Sequence, residues 1–286
     1  RGDRDAHVRI AYEAGVDQAA QGVLYSEMCI NPTSSVGEGS KGDSSIRTTA
    51  DVIEAVLEGF AKAEREKDIK LRLVLAIPRA RPGTAEEVLN LCREYRDRGV
   101  VGIDACGPTK GTPDDCREGE EAFAPEIIQA LKNAAKFGVH RTIHAGEAGP
   151  ASNVARAIEV LGAERIGHGY SAVFENGSAY RLALRQGIHF EVCPTCSHLT
   201  GAVKTDQEHP LVRLRDDGAS FSINTDGPTL THTTLEDEYR LALSLGLTPK
   251  DIVKSNRAAI LACFLPDHEK RELLEKFDRL NGISDL

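Results

Sequence analysis

Short runs of β-branched and other apolar residues alternate along this chain with longer segments in which apolar residues recur every three or four positions. The short runs predict strands, and the longer segments predict helices. Regular alternation of this kind is typical of parallel strands joined by helical crossovers. The predicted strands are Val23–Cys29, Leu71–Ile77, Val100–Asp104, His140–His144, Arg165–His168, Ile188–Cys193 and Ala219–Thr225.

Several of the predicted helices carry sequence signals at their ends. Thr84 and Glu87 have the spacing of a capping box, and Gly99 closes the segment that follows them. Ser152 precedes an apolar face that Gly162 closes. Two further helical patterns are Ala6 to Ala20, with no strand in front of it, and Phe123 to Ala135, which stops at Gly138.

A (β/α) barrel is the architecture that this alternation favours. A chain of 286 residues fits one such barrel, which usually takes about 250 residues. No repeat or composition shift marks a second domain, so residues 1–286 are predicted to form one barrel domain. A closed barrel needs eight strands and the pattern contains seven. The barrel is therefore either irregular or has its first βα unit outside this sequence.

Composition narrows the classes of partner. The net charge of −9 argues against nucleic acid and against an anionic membrane surface, because both attract clustered Lys and Arg. No apolar stretch approaches the roughly 20 residues that span a bilayer. Seven scattered cysteines suit a reducing compartment better than a disulfide framework, and no signal peptide is visible. A cytoplasmic setting is expected; the oligomeric state is not indicated.

The polar segment Asn31–Arg47 is rich in Gly and Ser and follows the first predicted strand. A flexible loop over a pocket and a solvated surface insertion are both compatible with this composition.

Polar side chains at three predicted strand ends are the main candidates for chemistry. His144 ends one strand with Glu147 three residues later, His168 stands between two glycines, and Asp226 follows Phe221–Thr225. An imidazole beside a carboxylate suits a metal ligand next to a proton donor. Structural roles compete at each position, including a turn or N-cap role for Asp226. Convergence at one end of parallel strands favours a common active site.

The segment Cys193-Pro194-Thr195-Cys196 allows three interpretations. A thiol redox pair normally occurs in a small thioredoxin-like domain, which this chain lacks. The zinc element of cytidine-type deaminases requires His-x-Glu and a preceding Pro, and neither is present. A strand end that turns into a loop is the favoured interpretation. The seven other histidines have no ligand spacing among them and are predicted to be structural or solvated: His7, His140, His189, His198, His209, His232 and His268.

Eight short segments, in family order, resemble the adenosine deaminase family of zinc-dependent aminohydrolases, and the resemblance extends from about residue 5 to residue 280. No single segment is specific, but the ordered set is. The segments are Tyr25–Glu27, Val101–Asp104, His140–Glu147, Ile166–Tyr170, His189–Pro194, Leu199–Gly201, Asn224–Asp226 and Phe264–Pro266.

The resemblance implies a (β/α)₈ barrel with one zinc ion at its mouth. His144 and Asp226 would be zinc ligands, and Glu147 would donate a proton to the purine ring nitrogen beside the attacked carbon. His168 would orient the attacking hydroxide, and Asp226 could accept a proton from the water. The backbone of Gly107 would contact another ring nitrogen of the base.

The sequence departs from the family pattern at three places. The family's first strand ends in His-x-His, which supplies two zinc ligands, and no His-x-His occurs in these 286 residues. We therefore expect the chain to lack its first βα unit, in agreement with the strand count. Gly227 replaces a family Asp that contacts the five-membered ring of the purine, and Cys29 replaces an Arg. Loss of one buried hydrogen bond weakens binding by about 1–3 kcal/mol, so Gly227 puts adenosine itself in question.

Hydrolytic deamination of a 6-aminopurine nucleoside or base, a step of purine metabolism, is the leading functional hypothesis. One alternative is a related hydrolase that acts on a different ring amine or amide, for which Gly227 leaves room. The other is a non-catalytic barrel that binds nucleosides or a partner, which the missing His-x-His favours if residue 1 is the true N-terminus. A zinc content of about one ion per chain would separate the enzymes from the binding protein.

Overall fold

Seven parallel strands form one sheet in the described part of the chain. A computed structural model describes residues 2–36, 45–108 and 122–283. The strands pair in sequence order, so each has its chain neighbours beside it. They are β1 (Tyr25–Ile30), β2 (Lys70–Pro78), β3 (Val100–Cys106), β4 (His140–Ala145), β5 (Arg165–His168), β6 (His189–Val192) and β7 (Phe221–Ile223).

All seven predicted strands are confirmed, with ends shifted by up to two residues. β7 is shorter than predicted by two residues at each end, and its backbone leaves the sheet after Ile223. The Asn224 side chain then bonds back to the carbonyl of Val192 at 3.3 Å and to the Ser222 hydroxyl at 2.9 Å. These bonds fix the chain as it turns toward Asp226.

Helices follow or separate the strands, as the alternation predicts. Within the described residues they are α1 (Arg4–Ala20), α2 (Thr49–Glu66), α3 (Ala85–Glu94), α4 (Pro125–Lys136), α5 (Ala151–Glu159), α6 (Tyr170–Glu175), α7 (Ser178–Gln186), α8 (Pro194–Leu199), α9 (Pro210–Asp216), α10 (Pro228–Thr231), α11 (Leu235–Ser244), α12 (Pro249–Ala262) and α13 (Asp267–Leu280). None of them is long and apolar enough to cross a membrane.

The predicted capping box at the start of α3 is wrong. Thr84 has helical backbone angles because it already belongs to a 3₁₀ turn, Pro82–Thr84, that runs into the helix. Its hydroxyl therefore donates back to the carbonyl of Arg81 at 2.8 Å. The carboxylate of Glu87 accepts instead from the Thr49 hydroxyl at 2.6 Å, which ties α3 to the start of α2.

The segment Asn31–Arg47 lies only partly within the described residues. A short 3₁₀ turn, Pro32–Ser34, follows β1, and Ile46 is fully buried just before α2. Residues 37–44 lie outside the described residues, so neither interpretation of this segment is tested.

The outer face of the sheet packs against the helices. Leu71, Leu73, Leu75 and Ile77 alternate along β2 and are all buried in one apolar core. A Cβ atom added at Gly15 of α1 would lie 2.6 Å from a methyl carbon of Leu71, so this helix approaches the sheet closely. Successive side chains of a strand point to opposite faces, so these four residues form the layer of β2 between the sheet and the helices.

Charged side chains on the other face show that the sheet curls. Arg165 on β5 forms ion pairs with Glu27 on β1 at 2.6 Å and with Glu191 on β6 at 2.8 Å. Four strand spacings of a flat sheet would separate β1 from β5 by about 19 Å. The curl therefore brings distant strands together around a polar interior, where the guanidinium also lies 3.6 Å from the ring centre of Phe264.

His189 lies in this interior as a neutral side chain. It is 3% exposed, and its two ring nitrogens contact the Ser220 hydroxyl at 2.8 Å and the Ser222 hydroxyl at 3.0 Å. A neutral imidazole needs one donor and one acceptor, and two hydroxyls supply both. Burial, assisted by the charge of Arg165, lowers the pKa of His189 to about 3.

We predict that His189 makes folding stability depend on pH below neutrality. In the unfolded chain its ring takes up a proton below pH of about 6.5, whereas the folded chain resists protonation until about pH 3. Stability is therefore present above pH of about 6.5 and falls between the two values, by up to about 1.4 kcal/mol per pH unit. Urea unfolding at pH 7.5 and 5.5 measures this loss.

The matched variants are His189→Asn and His268→Asn, the second at an exposed position. The loss on acidification should shrink in His189→Asn and stay as in the unmodified chain in His268→Asn. An equal loss in all three proteins would contradict a neutral buried ring at position 189.

Candidate active site

His144 is the penultimate residue of β4, and a buried carboxylate on the neighbouring strand holds its ring. Nδ1 of His144 lies 2.7 Å from a carboxylate oxygen of Asp104 on β3. The backbone N–H of His144 donates to the other oxygen of the same carboxylate at 3.2 Å. Asp104 is fully buried. Both carboxylate oxygens thus orient one imidazole.

Electrostatics at this pair favour positive charge on the imidazole. Burial alone lowers the pKa of His144, but the Asp104 carboxylate outweighs burial and raises that pKa to about 9. Burial raises the pKa of Asp104, yet the charges of His144 and Arg79 leave it below its usual value. A carboxylate that stabilises a proton on one ring nitrogen also strengthens the other nitrogen as a metal ligand.

Arg79 connects two of the strand ends. Its guanidinium donates to the carbonyl oxygen of Gly107 at 2.9 Å and also to the carbonyl oxygen of His144. Gly107 directly follows β3, with a φ of +76°. The predicted substrate-binding residue therefore lies at the same rim as His144. Its predicted contact with a ring nitrogen stays a prediction.

His168 ends β5 in a backbone conformation that few bulky residues adopt. Its φ is +68°, in the left-handed region, and its side chain is almost fully buried. Backbone strain of this type persists where the surroundings hold it, and it is frequent at functional sites. The two glycines that flank His168 have little room for a side chain. A Cβ at Gly167 would lie 3.2 Å from the His144 ring, and one at Gly169 would lie 2.6 Å from Phe190.

The four residues singled out at strand ends lie together. Nε2 of His168 is 3.5 Å from a carboxylate oxygen of Glu147 and 3.9 Å from one of Asp226. The ring centres of His168 and His144 are 5.1 Å apart, with the rings edge to face. Asp226 also has a left-handed φ, of +58°. Two of the four residues thus have strained backbones at one rim.

Cys193 belongs to the same cluster, and the sequence interpretation missed it. The ligand atoms of His168, Cys193 and Asp226 all lie within 4.8 Å of one another. The thiol of Cys196 also lies near the carboxylate of Asp226. Burial raises the pKa of both thiols well above the usual value, and the nearby carboxylate of Asp226 adds to the shift. The position of Cys193 directly after β6 is the sequence signal that could have placed it at this rim.

The expectation that this segment is a strand end entering a loop is corrected in one respect. The strand end is present, but the chain enters α8 directly, with Pro194 in its first turn. Proline suits this position because its fixed φ matches a helix and the lost N–H would be unbonded there anyway. The Tyr170 hydroxyl accepts from the N–H of Cys193 at 2.9 Å, which holds the start of the turn.

The donor atoms at this rim fit a zinc ion. Zinc prefers imidazole nitrogen, thiolate and carboxylate oxygen, and all three types are present here. Histidine ligands of metals usually have the second ring nitrogen paired with a carboxylate, as His144 does with Asp104.

Several other histidines have contacts that suit structural roles, including His140 stacked on Phe264 and His209 bonded to Ser197.

Comparison with known proteins identifies the family. A family model described as adenosine deaminase matches residues 2–280. The chain belongs to the adenosine deaminase family. It is 38% identical over 291 residues to the adenosine deaminase of Bos taurus, an alignment that covers 99% of this chain and 77% of that protein.

Solved structures confirm the barrel fold for this deaminase-family chain. The crystal structure of Arabidopsis ADAL complexed with IMP has a TM-score of 0.82 at 28% identity, and the match covers 98% of this chain and 79% of that one. An amidohydrolase from Burkholderia ambifaria with bound Zn has a TM-score of 0.81 at 29% identity, covering 99% of this chain and 76% of that one. The fold is therefore that of the (β/α) barrel hydrolases.

We predict that the left-handed backbone at His168 reverses the usual ranking of alanine and glycine. Both substitutions remove the same side-chain contacts, but alanine carries a Cβ that is strained at a φ of +68°. His168→Gly should therefore exceed His168→Ala in free energy of unfolding by about 1 kcal/mol. Urea denaturation of the two variants measures the difference.

Cys193 supplies the control, since its φ of −125° is ordinary for any residue. There, Cys193→Ala should be the more stable variant, because glycine loses more backbone entropy on folding. A His168→Ala variant at least as stable as His168→Gly would show that the backbone is not left-handed at this strand end.

Proposed function

We propose that this chain catalyses the hydrolytic deamination of a 6-aminopurine, as nucleoside or base, to the 6-oxo product with release of ammonia. One observation carries the proposal: His144, Glu147, His168 and Asp226 meet at the carboxyl end of the sheet, within the distances given above. Membership of the adenosine deaminase family and the likeness to an IMP-bound protein support a purine as substrate.

One zinc ion is the proposed cofactor, with His144 and Asp226 among its ligands. When bound, zinc lowers the pKa of water to about 7 and so supplies a strong nucleophile at neutral pH. The imidazole of His144 is already oriented for such a role by Asp104. The Zn-bound amidohydrolase relative supports the choice of metal.

Two proton movements are assigned to carboxyl groups of this chain. As the nucleophile adds to the carbon that bears the amine, the ring must gain electron density, and the Glu147 carboxyl donates a proton to the adjacent ring nitrogen. Asp226 accepts the proton that water releases. Both carboxylates lie within 4 Å of Nε2 of His168.

His168 positions the reacting groups between these carboxylates. Its ring is almost fully buried, its backbone is held left-handed, and it contacts the rings of both His144 and Tyr170. A side chain so constrained keeps its hydrogen-bonding atom in place without loss of entropy during the reaction. The proton held by Asp226 then passes to the amine, the C–N bond breaks to release ammonia, and the hydroxyl proton returns to Glu147 as the 6-oxo group forms.

Three wider expectations belong to the proposal. The backbone of Gly107 contacts a further ring nitrogen of the base, beside the bonded carbonyl that Arg79 fixes. Residues 1–286 act as one barrel domain, and the single apolar core of the described residues supports this. The setting is cytoplasmic, which the six free cysteines of the described residues support.

The activity is tested with the zinc-loaded, full-length natural protein. We predict release of ammonia from at least one member of a panel of aminopurine nucleosides and bases, together with the ultraviolet shift of the 6-oxo product. Pterins and cyclic amides complete the panel. Turnover of only the pterins or cyclic amides would identify a different hydrolase. A protein that takes up no zinc and turns over no compound of the panel would be a binding protein.

Glu147→Gln should lower kcat by about 10²- to 10⁴-fold, because the amide cannot donate the proton that the ring nitrogen requires. Zinc content should remain near that of the unmodified protein. Glu159→Gln, at an exposed position on the next helix, is the matched control and should retain full activity. Comparable rates for both variants would remove Glu147 from the mechanism.

Asp104→Asn tests how the buried carboxylate supports the metal site. Removing its charge weakens the hold on the His144 ring, so zinc affinity should fall by about 10- to 100-fold. Competition with a chromophoric chelator measures this affinity, with Asp68→Asn as control because that side chain is 84% exposed. Unchanged zinc affinity would mean that Asp104 only stabilises the fold.

A further inference from the structure

Gly227 leaves open space beside the site, although the backbone conformation at this position does not require glycine. Its φ is −93°, a value that any residue can adopt. A Cβ added there would meet nothing closer than a methyl carbon of Leu230, at 3.6 Å, which is ordinary contact. At Gly169, by contrast, an added Cβ would collide with Phe190 at 2.6 Å. The space at Gly227, called the notch below, therefore exists because residue 227 has no side chain and not because the backbone requires glycine.

The wall of this notch is apolar. Leu230 is 85% exposed, the most exposed of the large apolar side chains in the described residues. The N–H groups of Leu230 and Thr231 donate to the carbonyl of Gly227 at 2.8 and 3.0 Å, and the Thr231 hydroxyl donates to it at 3.2 Å. The Gly227 carbonyl is thus bonded within the turn, and the Leu230 side chain is open to solvent.

The order of the strands indicates which edge of a purine meets the notch. Glu147 follows β4, His168 ends β5, and Gly227 follows β7, so Glu147 and Gly227 lie on opposite sides of His168 along the rim. The attacked carbon of a 6-aminopurine has N1 on one side and C5 on the other, with N7 beside C5. With Glu147 at N1, the N7 edge lies toward Asp226 and Gly227.

We propose that Gly227 supplies no side-chain partner to the N7 edge of the base, so that the site accepts 6-aminopurines in which N7 is replaced by C–H. This inference rests on the proposed deaminase function and specifies the ligands of that site as 7-deaza-6-aminopurine nucleosides alongside ordinary ones. A site that hydrogen-bonds a substrate atom rejects an analogue without that atom, because its own polar group is left unbonded. Position 227 supplies no such side chain, and the apolar Leu230 tolerates a C–H group.

The experiment compares adenosine with 7-deazaadenosine on the zinc-loaded, full-length natural protein and on two variants. Gly227→Asn places an amide donor in the notch. Gly227→Ala also removes the conformational freedom of glycine but adds no hydrogen-bond donor. The measured quantity is the ratio of the Ki of 7-deazaadenosine to the KM of adenosine. Intrinsic differences between the two rings are the same for all three proteins and cancel between them.

The unmodified protein and Gly227→Ala should both bind 7-deazaadenosine within about tenfold of adenosine. Gly227→Asn should raise the ratio by about 5- to 150-fold, the value of one hydrogen bond to N7. Adenosine turnover with a ratio near 10³ in the unmodified protein would overturn the inference, as would equal ratios in the Asn and Ala variants. Absence of turnover of every aminopurine would overturn the proposed function instead, and this inference with it.

Discussion

Parallel pairing of consecutive strands is the constraint from which the site follows. Because every strand runs in the same direction, the residues after β4, β5, β6 and β7 all emerge at one rim. Curling of the sheet then brings them into contact, and the 2.6 Å ion pair between Arg165 and Glu27, four strands apart, measures that curl directly. Apolar side chains on the outer face anchor the helices that enforce it.

The sheet topology brings the site residues to one rim, and strained backbone conformations then set the orientation of two of their side chains. His168 and Asp226 both have left-handed φ values, and both aim their side chains at one another across 3.9 Å. Such conformations are costly for residues other than glycine, so packing around them must hold them. His144 is fixed differently, by a backbone hydrogen bond and a ring ion pair to the buried carboxylate of Asp104. The site is thus organised before any ligand binds.

The strands and the site rim could be read from the sequence because both depend on local pattern. β-Branched runs mark the strands, and polar residues at their ends, such as His144 and His168, mark the rim. These signals do not depend on knowing which strands are neighbours. Family resemblance added the roles of the residues, which the pattern alone left open.

Features that depend on register and on competing local bonds could not be read in this way. Asp104 meets His144 only because β3 and β4 pair in a particular register, which sequence spacing does not reveal. Thr84 and Glu87 have ideal capping-box spacing, but a preceding 3₁₀ turn and a distant Thr49 take their bonds. Cys193 enters the cluster because the chain turns directly into α8.

Convergence of His144 and Asp226 on one divalent cation is the central claim, and anomalous scattering at the zinc edge tests it most directly. Crystals of the zinc-loaded, full-length natural protein should give one strong anomalous peak in contact with the imidazole of His144 and the carboxylate of Asp226. A peak on the thiols of Cys193 and Cys196 alone, or one remote from this rim, would contradict the account.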